Sequence, residues 1–156
     1  QITKVRLSDL EAAETTFFDL EPVPPQHPEP SDALATPYAI EVTADDRVLV
    51  ATAAGSDKLF TVDAESGQVL GRADVGAVPR GIAIEENEAQ INAWVYNAVD
   101  DSVSIVDVTD PASPQVVESI GLDDPTDREI KLGRAWFNRA MGSTTGTYSC
   151  ASCHPD

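Results

Sequence analysis

The chain has 156 residues, of which 42% are hydrophobic, and this is enough for one packed domain or slightly more. Its 27 acidic and 10 basic residues give a net charge of -17, which repels a phosphate backbone and excludes nucleic acid as a partner. No run of about 18 apolar residues occurs, so we expect no membrane span. The acidic surface is either simply solvated or steers a basic redox partner toward the chain, and composition does not separate these two interpretations.

Residues 1–36 predict a strand, a short helix and a proline-rich connection. Apolar residues recur from Ile2 to Leu7 in a pattern typical of a strand, and Ser8 or Asp9 could cap a short helix after it. Five prolines follow within residues 22–32, PVPPQHPEPSD. Because proline fixes φ and lacks an N–H, this stretch should be a loop or an extended connection.

A repeat occupies residues 37–122. Pro37 and Pro79 are 42 residues apart, and Asp63 and Asp107, which each end an apolar run, are 44 apart. Each unit contains four strand-like runs separated by the Gly, Asp, Asn and Ser residues that turns require. The runs are YAIEV, RVLVATA, KLFTVDA and QVLGRADV in the first unit, and GIAIE, INAWVYNAV, SVSIVDV and QVVESI in the second. A period of about 40–50 residues with four strands per unit predicts β-propeller blades, although two unrelated β-meanders remain an alternative.

The matched turns favour the blade interpretation. VATAAGSDKLFTVDAESG and VYNAVDDSVSIVDVTD agree in turn, strand and final Asp, and the second segment resembles the YVTN-type propeller repeat family. The resemblance covers roughly residues 37–122 and implies a mainly β fold with a partial β-propeller of about two four-stranded blades. Within it, Trp94 and Tyr96 share one strand face, and we expect them to pack in the core. Since propellers use about four to eight blades, the remainder of a longer chain or another chain should cover the exposed edges.

Residues 123–156 predict a short α-helical segment. Apolar side chains recur at roughly helical spacing at Ile130, Leu132, Trp136, Phe137 and Met141. Asp124 or Thr126 could cap the start of this helix, and Gly142 could end it.

The chain's two cysteines lie in SCASCHPD, residues 149–156. Cys150, Cys153 and His154 have the C-x-x-C-H spacing of covalent haem attachment, in which two thiols add to the haem vinyl groups and the histidine binds the iron on the proximal side. A redox disulfide would normally lie in a thioredoxin-like βαβ unit, which the pattern lacks. A structural zinc ion needs four ligands, and the only other histidine is His27, far away in the proline-rich loop. A plain disulfide is compatible with the spacing but would stabilise the chain little.

The residues around this motif resemble the lead-in to the first haem of the bacterial di-haem cytochrome c peroxidase/MauG family. That family has an LG…LFFD…LS…SCASCH.P run, from which Trp136 and Asn138 depart. The resemblance implies a covalent c-type haem (haem c), but the family's second haem region has no counterpart here, so peroxidase activity is not carried over. The matching positions are Leu132, Gly133, Phe137, Ser149, Cys150, Ala151, Ser152, Cys153, His154 and Pro155.

Several residues outside the motif are candidates for contact with the haem. Met141 is the one soft ligand near the motif and could be the sixth ligand of the iron. Arg80 and Arg134 could each bind a haem propionate. Trp136 could pack on a haem edge or fill a helix–propeller interface, and Tyr148 could cover the porphyrin or simply pack.

The sequence therefore predicts three segments: residues 1–36 as the N-terminal connection, 37–122 as two blades and 123–156 as the start of a cytochrome c domain. The function that we expect is electron transfer through one covalent haem, within a larger propeller–cytochrome c oxidoreductase of the di-haem peroxidase-like class. Because covalent haem attachment occurs outside the cytoplasm, we expect a bacterial periplasmic or secreted protein. The alternative is a non-enzymatic propeller module that binds a protein or carbohydrate and holds no haem.

Overall fold

The computed structural model describes residues 1–5 and 15–154. The expected short helix, with Ser8 or Asp9 as its cap, lies outside these residues. The described part of the chain forms ten strands, one longer helix and one single-turn helix. The strands are β1 (Ile2–Val5), β2 (Thr15–Phe18), β3 (Pro37–Val42), β4 (Val48–Ala53), β5 (Lys58–Asp63), β6 (Val69–Asp74), β7 (Pro79–Glu86), β8 (Ile91–Asn97), β9 (Ser102–Asp107) and β10 (Gln115–Gly121). The helices are α1 (Arg128–Asn138) and α2 (Cys150–Cys153), with a 3₁₀ turn at Ala140–Gly142 between them.

Two antiparallel four-stranded sheets make up the repeat region. Strands β3 to β6 form the first blade and β7 to β10 the second, each with its strands in sequence order. The first strands of the two blades, β3 and β7, lie against each other. The fold is therefore mainly β, a partial β-propeller of two blades followed by a short helical segment, as the repeat predicts.

The two blades also repeat an unusual backbone. Thr36 (φ 53°) and Val78 (φ 58°) directly precede β3 and β7, and Asp57 (φ 53°) and Asp101 (φ 46°) directly precede β5 and β9. A positive φ is uncommon outside glycine, above all in a β-branched residue. The Thr36 and Val78 carbonyls accept hydrogen bonds from the residues that follow β4 and β8 (2.9 and 3.0 Å). The same strained corner is therefore held by the same bond in each blade.

The main core lies between the blades. Val50, Leu59 and Ala73 of the first blade pack in one cluster with Val95 and Val106 of the second. All except Ala73 are fully buried. Burying a side chain of this size contributes about 1.5–3 kcal/mol, so this interface is a principal source of stability for the pair.

The N-terminal segment covers the opposite face of the first blade. Leu20 and Leu34 pack against Phe60 and Val62 of β5. Strands β1 and β2 form a two-stranded antiparallel sheet beside this contact. The prolines of residues 22–32 lie in the connection between these strands and the blade, where no helix or strand forms. The N-terminal segment thus occupies the side on which a preceding blade would pack.

In the described part of the chain, no sheet packs on the opposite face of the second blade, and the prediction that Trp94 and Tyr96 lie in the core is wrong. Trp94 is 37% exposed and Tyr96 is 39% exposed. Side chains alternate along a strand, so placing the neighbouring Val95 against the first blade turns both aromatic residues to the other face. Their side chains hydrogen-bond to carboxylates instead, Trp94 Nε1 to Glu85 (3.1 Å) and Tyr96 to Asp101 (3.2 Å).

Helix α1 begins and ends at residues other than those predicted. Its N-cap is Asp127, whose carboxylate accepts a hydrogen bond from the Glu129 N–H (2.8 Å), and not Asp124 or Thr126. Asp124 instead pairs with Lys131 of the helix (2.7 Å).

No helix in the described part of the chain is long and apolar enough to cross a membrane.

At its other end, α1 stops at Asn138, four residues before the expected Gly142. Arg139 adopts an extended backbone (φ -75°, ψ 126°), and the Ala140 N–H donates to the Gly55 carbonyl (2.7 Å). Gly142 instead ends the 3₁₀ turn that follows. The helix therefore ends where the chain makes contact with the β4–β5 turn of the first blade, which local sequence does not reveal.

Candidate functional site

The two cysteines lie on one preformed turn of helix. Residues 150–153 form α2, and positions three apart in a helix point to the same side. Both thiols are free and exposed. The Ser149 N–H donates to Ser152 Oγ (3.0 Å), which satisfies one of the donors at the start of the turn. The His154 N–H closes the turn on the Cys150 carbonyl (3.0 Å), and the His154 side chain is exposed beside the thiols.

An open groove of about 630 Å³ contains these three side chains. Trp136 and Tyr148 line it together with Cys150, Cys153 and His154. Trp136 is 64% exposed and Tyr148 54% exposed, an unusual degree of exposure for two aromatic side chains that share one groove. The site therefore combines two free thiols, an imidazole and a wide apolar surface.

The groove is fixed to the propeller by polar contacts on one side. Arg139 Nε donates to Asp57 Oδ2 in the β4–β5 turn (2.6 Å). Lys131 Nζ donates to the Asp100 carbonyl in the β8–β9 turn (3.0 Å). Ala135 of α1 packs with apolar residues of the same turns and of the β6–β7 connection. The helix that carries the groove thus contacts both blades.

A carboxylate–ammonium pair reinforces this docking. Hydrogen bonds from Lys131 and Thr126 hold the pKa of Asp124 well below its usual range, and Asp124 in turn raises the pKa of Lys131. Both side chains are largely covered, with 8% of Asp124 and 29% of Lys131 exposed. Each group is therefore charged at neutral pH, and the pair links the segment before α1 to its first turn.

The structure places the other candidate residues outside the groove of the cysteines. Met141 is exposed and lines a neighbouring pocket with Asp57, on the other side of Arg139. Arg80 and Arg134 line a further pocket beside the β8–β9 turn, and Arg80 also lies over the Tyr38 ring at 5.4 Å. Arg139, which sequence reasoning did not select, is the arginine that lines the groove. Its partner Asp57 is 82 residues away, and no local pattern signals such a contact.

The donor set fits a haem better than a bare metal ion. In the described residues, no three His, Cys, Asp or Glu side chains are close enough together to hold an ion. His27 lies in the proline-rich connection, beside the carbonyl of Pro28. Haem attachment does not require the thiols to converge on a metal, because they bond to the porphyrin edge while only the histidine reaches the iron. The apolar walls of the groove also suit a flat macrocycle.

Comparisons with known proteins identify the fold. No protein-family model matches the chain, and no curated protein matches it. Among solved structures, the hydrazine synthase of Kuenenia stuttgartiensis is similar over 65% of this chain and 27% of its own, with 25% identity and a TM-score of 0.50. The periplasmic gluconolactonase of Pseudomonas aeruginosa is similar over 74% of this chain and 31% of its own, with 24% identity and a TM-score of 0.50. Both have β-propeller-type folds, and this chain spans about a third of their length or less.

Proposed function

We propose that this chain binds one haem c covalently at Cys150 and Cys153 and transfers electrons through it. The observation that carries the proposal is the geometry of α2. Two free, exposed thiols lie on one helical face, next to His154, and open into a groove lined by exposed aromatic side chains. A structural cysteine pair would have no use for this exposed apolar surface.

Each residue of the site has a distinct part in this proposal. The Cys150 and Cys153 thiols would each add across one vinyl C=C bond, forming a carbon–sulfur bond while the thiol hydrogen passes to the neighbouring carbon. His154 would bind the iron on the proximal side, and Trp136 and Tyr148 would exclude water from the porphyrin faces. When bound, the haem supplies a one-electron couple. Met141 remains a candidate sixth ligand, although it lies in the pocket beyond Arg139.

The similar structures support a redox role and a periplasmic setting. One is a hydrazine synthase and the other a periplasmic gluconolactonase. We therefore propose that this chain belongs to a larger propeller–cytochrome c oxidoreductase, of the di-haem peroxidase-like class, in the bacterial periplasm or outside the cell. Its partner would be a basic redox protein, attracted by the net charge of -17.

The exposed face of the second blade is evidence for a further partner, a sheet that would pack on this face. In the two middle strands, adding 44 to the residue numbers of the first blade gives the equivalent positions in the second, so Trp94 corresponds to Val50 and Ile105 to Thr61. Val50 faces the second blade. By this equivalence, another blade would pack over Trp94, from the remainder of a longer chain or from another chain.

The same exposed aromatic face favours one alternative function. Trp94 and Tyr96 each donate a hydrogen bond to a carboxylate. They could bind a protein or carbohydrate in a propeller module that holds no haem. The two functions differ in one measurable property, the presence of covalent haem.

The test is to export the chain to the periplasm of a bacterium that has c-type haem maturation. The purified protein should be heavier by one haem, give a haem c pyridine haemochrome spectrum and keep its haem in denaturant. The double variant Cys150→Ser, Cys153→Ser should lose the haem completely. His154→Ala should change the Soret band and spin state. Met141→Leu is the control and should keep full covalent attachment.

Colourless protein from a cytoplasm without maturation enzymes is expected, because attachment is enzymatic. Exported, full-length wild-type protein without covalent haem would refute the proposal and favour the binding-module alternative.

A further inference from the structure

The groove beside the cysteines differs in composition from the acidic chain around it. The sequence contains 27 acidic and 10 basic residues. Nevertheless, among the residues that the structure describes, no Asp or Glu lines this groove, and Arg139 is its one lysine or arginine. At the average composition of the chain, ten lining residues would include about one or two carboxylates. The lining therefore suits a ligand that itself carries negative charge.

Arg139 is held in a fixed direction. Its Nε donates to Asp57 Oδ2 at 2.6 Å, while Asp57 Oδ1 accepts the Val78 N–H at 2.9 Å. The Asp57 side chain is only 16% exposed, and its hydrogen bond to Val78, in the connection between the blades, holds it in position. Binding through Nε leaves the two terminal nitrogens of the guanidinium for a second acceptor, and 41% of the Arg139 side chain remains exposed.

We infer that Arg139 is the carboxylate-binding residue of this groove, positioned by Asp57. This rests on the proposed function, since the ligand carboxylates are the propionates of the haem that Cys150 and Cys153 would hold. A planar guanidinium is suited to a carboxylate because it offers parallel N–H donors. Arg139 thus takes the part that the sequence assigned to Arg80 or Arg134, both of which line another pocket.

The Asp57–Arg139 pair would also set the reduction potential of the bound haem. Oxidised iron carries one more positive charge than reduced iron, so a nearby positive charge favours the reduced state and a nearby negative charge the oxidised state. Arg139→Gln leaves the Asp57 carboxylate uncompensated and should lower the midpoint potential. Asp57→Asn leaves the Arg139 charge uncompensated and should raise it. Asparagine keeps the acceptor for Val78 and tolerates the positive φ of position 57.

The experiment is potentiometric titration of exported, haem-loaded protein at low and high salt. Arg139→Gln and Asp57→Asn should shift the potential in opposite directions. The shift of Asp57→Asn should shrink more at high salt, because it leaves the charge of Arg139, which is 41% exposed, whereas Arg139→Gln leaves the charge of Asp57, which is 16% exposed. Arg139→Lys keeps the charge and should lie between the wild type and Arg139→Gln. Arg134→Gln removes an arginine of the same helix that lines another pocket, and should shift the potential much less than Arg139→Gln.

Shifts of the same sign in Arg139→Gln and Asp57→Asn would overturn the inference, because a merely structural role exposes the site in both. Equal effects of Arg139→Gln and Arg134→Gln would overturn it as well. If Arg139→Gln fails to fold or to take up haem, Arg139→Lys is compared with Asp57→Asn instead. The inference then requires that these two variants shift the midpoint potential in opposite directions. Wild-type protein without haem overturns the proposed function first and this inference with it.

Discussion

At the scale of single residues, the two blades repeat a carboxylate at the end of their third strand. Asp63 accepts hydrogen bonds from the backbone N–H and the hydroxyl of Ser66 (both 2.7 Å), and Asp107 accepts one from the Thr109 N–H (2.9 Å). These bonds lower the pKa of both carboxyl groups, with the Ser66 hydroxyl the largest cause for Asp63 and the Thr109 side chain the largest for Asp107. Each carboxylate therefore stabilises the turn that leads into the outer strand of its blade.

We expect the contribution of Asp63 to depend on pH in the acid range. A carboxyl whose pKa is lower in the folded chain stabilises it above the unfolded pKa of about 4, and this stabilisation is lost as pH falls through the folded value. Asp63→Asn should therefore lower the midpoint of thermal unfolding at pH 6, and the difference from wild type should narrow at pH 3. Asp123→Asn, in the exposed connection before α1, is the control. A difference that stays constant from pH 6 to pH 3 would contradict this.

Residue-level reasoning from sequence found the motif but not its surroundings. Cys150, Cys153 and His154 are adjacent in the chain, so their proximity follows from spacing alone. Arg139 and Asp57 meet across 82 residues, and only the docking of α1 onto the β4–β5 turn brings them together. Contacts made by tertiary packing leave no periodic signal in a single sequence.

At the scale of elements, the N-terminus of α1 shows why the existence of a helix is easier to predict than its ends. Asp124, Thr126 and Asp127 all have cap-forming side chains within four residues. Asp124 does not cap the helix because its carboxylate pairs with Lys131, which lies in the helix itself. Asp127 then caps the helix through the Glu129 N–H. The choice among the three depends on an ion pair that forms only when the helix exists.

The cap can be tested by local rather than global stability. Replacing an Asp N-cap with Ala costs about 1 kcal/mol, which is roughly a fivefold change in an opening equilibrium. In Asp127→Ala, the amide hydrogens of α1 should therefore exchange about fivefold faster, while those in the blade core should not change. Asp127→Ser, which can also cap, should restore most of the protection. If Asp123→Ala accelerates exchange as much as Asp127→Ala does, Asp127 is not the functional cap.

At the scale of the whole molecule, the repeat made the architecture predictable. It did not predict which face of each blade packs against its neighbour. Strand number, order and approximate bounds follow from turns that recur every 42–44 residues. Val95 and Trp94 are both large and apolar, however, and sequence does not say which of two alternating faces meets the first blade. Equivalence by 44 residues resolves this once pairing is known, since Val50 and Trp94 occupy the same position in successive blades.

The open face can be examined by the fluorescence of Trp94. The chain has two tryptophans, so Trp136→Phe leaves Trp94 as the single reporter, and Trp94→Phe leaves Trp136 as the matched control. In haem-free protein, acrylamide should quench Trp94 readily, because 37% of its surface is exposed and the described chain packs no sheet over it. In a longer protein or complex that supplies the next blade, quenching of Trp94 should fall several-fold and its emission should shift to shorter wavelength, while Trp136 should change little. Two outcomes would contradict the packing of a blade on this face. One is that Trp94 is already protected from acrylamide in this chain alone, and the other is that Trp94 is quenched equally in the longer protein.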